Sequence, residues 1–353
     1  MSGFVIGYYA LLVGASCLAA YYKARPTFLL LFSLNLVSFI VGIVGGVDAL
    51  LFITVCAAVI AFAGGTAYAF REFLVIVTPT ELSKALKTAP LTATFGMFVI
   101  GVYAIAGIFA PVIAPFGEAE VIGGAFDPPS EEMLFGGDQL GRDLFSRLVY
   151  GARNTVGIAL MATTLAFVMG ALAGLIAATL GGWFDQLMGR VVDVIMSVPS
   201  LIFALLLLSI FGTNVFILII IIAIIYSPRV FRLTRAVAGN VVVMDYIEAA
   251  RLRGEGLWYL IRREILPNST APLIAEFGLE FCFVFLLVAG LSFLGLGIQP
   301  PTADWGSMVR ENATLISFGE ITPLYPAAAI ALLTVAVNFV VDWMLFRSSG
   351  LKG

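Results

Sequence analysis

Apolar and polar positions alternate in this chain on the scale of whole segments rather than single residues. Long runs of Leu, Ile, Val, Phe, Ala and Gly are separated by short polar intervals. A membrane-crossing helix needs about 20 mostly apolar residues at ~1.5 Å rise per residue. Runs of that kind cover residues 4–22, 27–46, 50–70, 91–115, 155–180, 187–211, 215–226, 271–293 and 322–346. The pattern predicts nine crossings in an all-α integral membrane protein. The split within 187–226 rests on length, because those 40 residues would make about 60 Å of helix, twice a bilayer core. Gly212-Thr213-Asn214 supplies a turn in the middle, since Gly and Asn tolerate turn dihedrals. Segment 215–226 is short for a crossing unless the helix runs on past Arg229.

Charge placement orients the spans. Lys and Arg collect on the cytoplasmic side of membrane proteins. Arg229, Arg232, Arg235, Arg251, Arg253, Arg262 and Arg263 mark a cytoplasmic segment, 229–267. Alternating outward from it puts 15 of the 19 Lys and Arg residues inside, and leaves Arg142, Arg147, Arg153 and Arg310 outside. The interval 116–154 becomes an external loop, acidic through Glu118, Glu120, Asp127, Glu131, Glu132, Asp138 and Asp143. The N-terminus then lies outside and the C-terminus in the cytoplasm. Residues 1–72 form a three-span N-terminal portion, 73–90 a cytoplasmic linker and 91–353 a six-span portion.

Composition agrees with a bilayer as solvent. Of the 353 residues, 61% are hydrophobic and 12% charged, with mean hydropathy +1.06. A soluble domain carries about twice that charged fraction. The 36 glycines suit closely packed membrane helices. Cys17, Cys56 and Cys282 all fall in apolar runs, no CxxC occurs and there is no histidine. These features speak against a Cys/His metal site and exclude a His-based triad. The first basic residue, Lys23, follows the first apolar run, whereas a signal peptide carries its charge before it, so this run reads as a retained helix. The chain has no GxxxxGK[ST] loop, and hence no backbone cradle for ATP.

The chemistry-bearing stretch is Asp245-Tyr246-Ile247-Glu248-Ala249-Ala250-Arg251-Leu252-Arg253-Gly254, continuing to Glu264-Ile265-Leu266-Pro267. It predicts a helix–turn–helix at the membrane surface. Gly254 suits a helix C-cap, Pro267 the first turn of the next element, and Trp258 and Tyr259 the headgroup level. Glu248, Ala249 and Ala250, with Gly254 after three intervening residues and then Leu266 and Pro267, resemble the cytoplasmic EAA motif of ABC importer permeases. Gly137-Asp138-Gln139-Leu140-Gly141-Arg142-Asp143, Ser146-Arg147, Gly181-Gly182-Trp183-Phe184-Asp185, Val198-Pro199-Ser200 and Leu291-Ser292-Phe293-Leu294-Gly295 narrow the resemblance to the dipeptide/oligopeptide (peptide/nickel) class, and within it to the second permease of the pair. They occur in the family's order over residues 90–348.

The resemblance implies a type I ABC importer transmembrane fold with a six-helix core, preceded here by about three extra helices, in the cytoplasmic membrane. It implies a second homologous permease, two ATP-binding subunits that hold ATP and Mg and carry out hydrolysis, and an extracytoplasmic substrate-binding protein. No nucleic acid is expected. Glu248, Ala249, Ala250, Gly254, Leu266 and Pro267 would couple to an ATPase, with the two small alanines letting the helix seat in a groove. Asp138, Gly141, Arg142, Asp143 and Arg147 form the external-loop motif. The family often has a glutamate where this chain has Val288.

Two further carboxylates, Glu276 and Glu280, lie one turn apart on one helix face. They either line a translocation pathway or sit near the cytoplasmic end of their span, solvated or paired with loop arginines. A buried carboxylate costs several kcal/mol unless it is paired or wetted. The alternative to an ATP-driven importer is an ion-coupled secondary transporter, which would place such carboxylates at the bilayer midplane. The EAA-type segment would then have no role.

Overall fold

A computed structural model describes residues 59–348, together with Ala15, Leu34 and Val37. The spans expected at 4–22 and 27–46, with Cys17 and Cys56, lie outside the described residues. The chain divides into two units, Met1–Thr78 and Pro79–Gly353. In the first, helix α1 covers Val59–Val77. It extends past the expected end at Phe70 because the charged step Arg71–Glu72 closes on itself at 3.4 Å and the apolar run Phe73–Val77 resumes beyond it.

The second unit is helical, without strands among the described residues apart from isolated bridges between Val121 and Arg142 and between Gly137 and Asp143. Helix α2 spans Thr80–Lys87, α3 Leu91–Ile108, α4 Ala110–Ile113, α5 Leu144–Leu180, α6 Gly182–Met196, α7 Ser200–Phe211, α8 Val215–Val242 and α9 Asp245–Leu252. A continuous helical run, α10, then covers Leu257–Phe293, followed by α11 at Trp305–Asn312 and α12 at Leu324–Ser348. Six described helices, α1 among them, are long and apolar enough to cross a membrane, and the bent pair α6–α7 is a further candidate.

Three departures from the sequence expectation have local causes. The span expected to start at 155 begins at Leu144, because Asp143 caps the helix by accepting the Ser146 N–H at 2.8 Å. The single crossing expected over 187–211 is two helices meeting at 85°. Pro199 sits at that bend with an extended ψ of 126°, and a proline drives the residue before it out of the helical region. The turn at Gly212 is present, with Gly212 at φ 89° and Asn214 capping α8 through the Phe216 N–H. Helix α8 then continues to Val242, so Arg229, Arg232 and Arg235 are helical rather than loop residues.

Helices associate in a bilayer through close packing of small residues, since lipid tails are as apolar as leucine. The α5 face that meets α8 follows this rule, with buried Ala159, Ala162, Ala166, Gly170, Ala171, Gly174 and Ala177. Gly170 and Gly174 form a small-xxx-small step. A Cβ on Gly170 would stand 2.7 Å from Val230 Cβ, and one on Gly174 2.8 Å from Thr234 Cβ. Near the other end of α5, Trp305 is buried against Gly151, whose missing side chain makes room for the indole ring. Tyr103 and Phe285 meet that indole edge-on at 5.4 and 6.1 Å between centroids, and its N–H donates to the Leu148 carbonyl at 2.9 Å.

Overpacking a tight interface costs about 1–3 kcal/mol or more. Gly170→Leu and Gly174→Leu should therefore lower the thermal midpoint of the detergent-solubilised protein and its folded yield. Gly157→Leu, where an added Cβ meets nothing within 4 Å, should leave both near the parent values. Equal midpoints for all three variants would show that the α5–α8 approach does not limit stability.

Candidate functional site

The sequence-marked residues fall in three places. The first is the surface element after α8. Helix α9 buries Ile247 and Ala250 against Leu175, Ala238, Leu260, Ile261 and Ile265, and turns Glu248 and Ala249 outward. Ala250 is fully buried, so of the two alanines expected to line a docking face only Ala249 is available. Around it lies an exposed apolar fringe of Val243, Met244, Tyr246, Leu252 and Trp258. Arg251 donates from Nη2 to the Thr179 carbonyl at 3.1 Å, fastening α9 to the end of α5. Gly254 ends the element at φ 83°, a left-handed value open to glycine without strain.

Leu266 and Pro267 do not begin a separate helix. They continue α10, which starts at Leu257 and passes through one π-helical turn at Leu260–Ile265. A proline inside a helix removes one backbone hydrogen bond and crowds the carbonyl four residues back. The wider π turn relieves that crowding. Asn268, Ser269 and Thr270 then donate from their side chains to the carbonyls of Glu264, Ile265 and Leu266 at 2.6, 2.8 and 2.8 Å.

The second place is the external-loop motif, which is a buried ionic knot rather than an open acidic surface. The Asp138 carboxylate accepts the N–H groups of Leu140 and Arg142 at 2.8 and 3.0 Å and Arg142 Nε at 2.7 Å. It also faces Arg147 Nε at 3.3 Å. Both arginines reach Glu311 Oε2 on α11, at 3.3 and 3.4 Å. Arg147 additionally donates to the Glu118 carbonyl at 3.1 Å, while Glu118 Oε2 accepts from Asn154 Nδ2 and the Ala303 N–H at 2.9 and 2.8 Å. Gly141, at φ 75°, lets the turn pass against the Gly123 carbonyl. Nearby Asp304 caps α11 through the Ser307 N–H and accepts from the Thr155 hydroxyl, each at 2.8 Å. Burial pushes its carboxyl above the ordinary range, against the pull of those donors.

The third place holds the two carboxylates. Glu280 lies halfway along Leu266–Phe293, about 20 Å from either end at ~1.5 Å per residue, and is not at a solvated terminus. Its nearest cation is Arg229 Nη1, at 3.9 Å, itself midway along α8. Glu276 is half-buried one turn away. Val288 is fully buried in the main core. Below this level Arg232 pairs with Asp193 at 2.6 Å, and Arg235 makes a two-point contact with Asp185. Three cations spaced three apart on α8 thus each face a carboxylate on a neighbouring helix. Asp342, in the apolar run of α12, is exposed.

Sequence reasoning missed the partners rather than the motifs. Glu311, Asn154 and Thr155 complete the external knot from distant positions, and no local spacing announces them. The i, i+3 arginines of α8 were visible in the sequence but read as loop charges. No group of three or more His, Cys, Asp or Glu suited to a metal occurs among the described residues.

The pattern of the family described as binding-protein-dependent transport system inner membrane component matches residues 170–348. The chain is similar to the dipeptide transport system permease protein of Alkalihalophilus pseudofirmus, with 35% identity over 74% of this chain and 86% of that one. It is also similar to the probable D,D-dipeptide transport system permease protein of Escherichia coli, with 34% identity over 73% and 86%. The di/tripeptide transport system permease protein of Pseudomonas aeruginosa is 35% identical over 70% of this chain and 84% of its own.

Removing one partner from a buried ion pair strands the other charge, at about 3–5 kcal/mol. Arg147→Met should therefore sharply lower the thermal midpoint, because Asp138 and Glu311 keep only Arg142 between them. Exposed Arg153 is the control, and Arg153→Ala should shift stability by no more than ~0.5 kcal/mol. A parent-like melt for Arg147→Met would mean that the knot does not hold the external segments.

Proposed function

The chain belongs to the family of binding-protein-dependent transport system inner membrane components, and from that premise we propose that it is one of two permeases in an ATP-driven peptide importer. It is a multi-pass membrane transport component, not a catalytic one. The peptide substrate is supported by the names of its relatives, three of them dipeptide or di/tripeptide permeases. On this reading the partners are a second homologous permease, two ATP-binding subunits that hold ATP and Mg and hydrolyse the nucleotide, and an external binding protein. The C-terminus lies in the cytoplasmic compartment.

The observation that carries the mechanism is the build of α9. Glu248 and Ala249 face outward within an apolar fringe, while Ile247 and Ala250 and the Arg251–Thr179 bond seat the helix on α5 and α10. A short helix with an exposed apolar margin suits a groove on a partner. Its seating passes a displacement of that partner to the membrane helices rather than dissipating it in a loop. The knot at Asp138, Arg142, Arg147 and Glu311 fixes the opposite, external segments that would receive the binding protein. An ion-coupled transporter would leave α9 and its fringe without a role, and the family assignment does not support it.

Two experiments test this reading. Mild-detergent purification from the native membrane with mass spectrometry should return two nucleotide-binding subunits and a second permease. A chain that purifies alone across several detergents would overturn the assembly. Gly254→Val places a β-branched residue at positive φ, and Glu248→Lys inverts the exposed charge of α9. Each should cut peptide uptake at least tenfold while the chain still reaches the membrane, and parent-level uptake in both would remove α9 from coupling.

A further inference from the structure

The seam between α8 and α10 carries a charge arrangement that packing does not explain. Glu276, Glu280 and Phe283 share one face of α10, at i, i+4 and i+7. Other positions around Glu280 on that helix are neutral and packed. Phe277 meets Phe167 of α5 at 5.4 Å, a Cβ on Gly278 would run into Val341 of α12, and Cys282 Sγ points at the Thr334 carbonyl from 3.9 Å. Glu280 is shut in, with 3% of its side chain exposed, whereas that of the facing Arg229 is 43% exposed. Glu280 Oε2 is buried and has no hydrogen-bond partner.

Arg229 neutralises this carboxylate only in part. Its 3.9 Å approach is too long for a hydrogen bond. The guanidinium instead lies over the Phe283 ring at 4.5 Å and near the Tyr226 ring at 5.9 Å. The Tyr226 hydroxyl is used elsewhere, donating to the Phe283 carbonyl at 3.3 Å, and the next cation along α8, Arg232, is paired with Asp193. Two carboxylates therefore share one guanidinium, with Arg229 midway along α8 and Glu280 midway along the 266–293 part of α10. A cation half-exposed at that depth cannot face hydrocarbon cheaply, and such residues face the bundle interior or water-filled cavities. The face with Arg229, Glu276 and Phe283 is thus the wetted side of the seam, and its surplus group is a carboxyl.

We propose that Glu280, with Glu276 one turn away, is the point in the translocation path that takes the free α-ammonium group of a peptide. This rests on the peptide-importer reading above. An ammonium has three N–H donors in a compact head, suited to two carboxylate groups one helical turn apart and to an acceptor oxygen without a partner.

The test uses the purified permease–ATPase complex without its binding protein, so that the binding protein's selectivity does not enter. The probes are a radiolabelled tripeptide and its N-acetylated form. The parent complex should retain the free tripeptide over the acetylated one, and Glu280→Gln should cut that preference at least tenfold. Glu280→Asp, which keeps the charge, should hold the preference within about threefold of the parent, a result that loss of packing alone would not give. An unchanged preference in Glu280→Gln overturns the proposal, as does an equal loss in Glu280→Gln and Glu280→Asp. Should Glu280→Gln fail to assemble, Glu276→Gln on the wetted side decides, with a threefold or greater fall expected and parent-level preference refuting. Uptake of the tripeptide by the complete parent transporter is measured alongside. No uptake there removes the peptide reading itself, and this site's ligand with it, whereas uptake with an unchanged Glu280→Gln preference removes the site alone.

Discussion

Helices α5 and α8 can approach closely because α5 gives up side chains at Gly170 and Gly174, where Val230 and Thr234 take the space. Water does not push helices together within hydrocarbon, so contact distance and interdigitation provide most of the attraction. Once this pair is set, the remaining core elements have defined places. Helix α10 packs on both members, α3 lies along α5 and α12, and α11 tucks Trp305 into the space left by Gly151. The pair also fixes the direction in which α8 presents Arg229, Arg232 and Arg235. The charge chemistry of the molecule is therefore a consequence of small-residue packing on the opposite side of the same helix.

Two kinds of charge cluster result, and their burial separates them. In the external knot, Asp138, Arg142, Arg147 and Glu311 each keep 6% or less of their side chain exposed. Two cations there are matched by two anions, and backbone groups fill further donor and acceptor positions. Only Arg147 Nε, 3.3 Å from Asp138, makes no hydrogen bond there, and a charge-matched network of this kind holds one arrangement of the segments around it. The α8–α10 seam is different, with two carboxyl groups against one cation and one oxygen unpartnered. The first cluster balances its charged groups without a ligand, and the second does not.

The membrane class, the helical content and the interval around Glu248 were legible because they depend on local pattern. Hydropathy windows find apolar helices, and Gly254 and Asn214 act at their own positions. Hydropathy fails where charge is matched at a distance. Arg147 looks like a solvent-facing residue that delays the start of a span until 155, yet it is buried inside α5 because Glu311, 164 residues away, balances it. Arg229 looks like the start of a loop for the same reason, although α8 runs 13 residues past it. The bend at Pro199 was hidden differently. Apolar residues flank it on both sides, and a window averaged over them reads one crossing where the backbone makes two helices at 85°.

The same accounting distinguishes which helices move as one body. Helix α9 is joined to α5 by buried Ile247 and Ala250 and by the Arg251–Thr179 bond, and α5 is joined to α8 by the glycine contact. None of these joints opens without creating a void or stranding a polar group, each a cost of order 1–3 kcal/mol. Helix α6 meets this body through a smaller apolar cluster around Val192 and Phe231, and through Asp193–Arg232 and Asp185–Arg235. The arginine side chains of these pairs are about half exposed, and an ion pair so open to solvent is worth about 0–1 kcal/mol. Beyond α6 the chain already bends at Pro199. On the proposed reading, a force on α9 would carry α5 and α8 together and shift them against α6 and α7, the boundary that costs least to rearrange. Arg229 and Glu280 would stay on the moving side, since α10 packs against both α5 and α8.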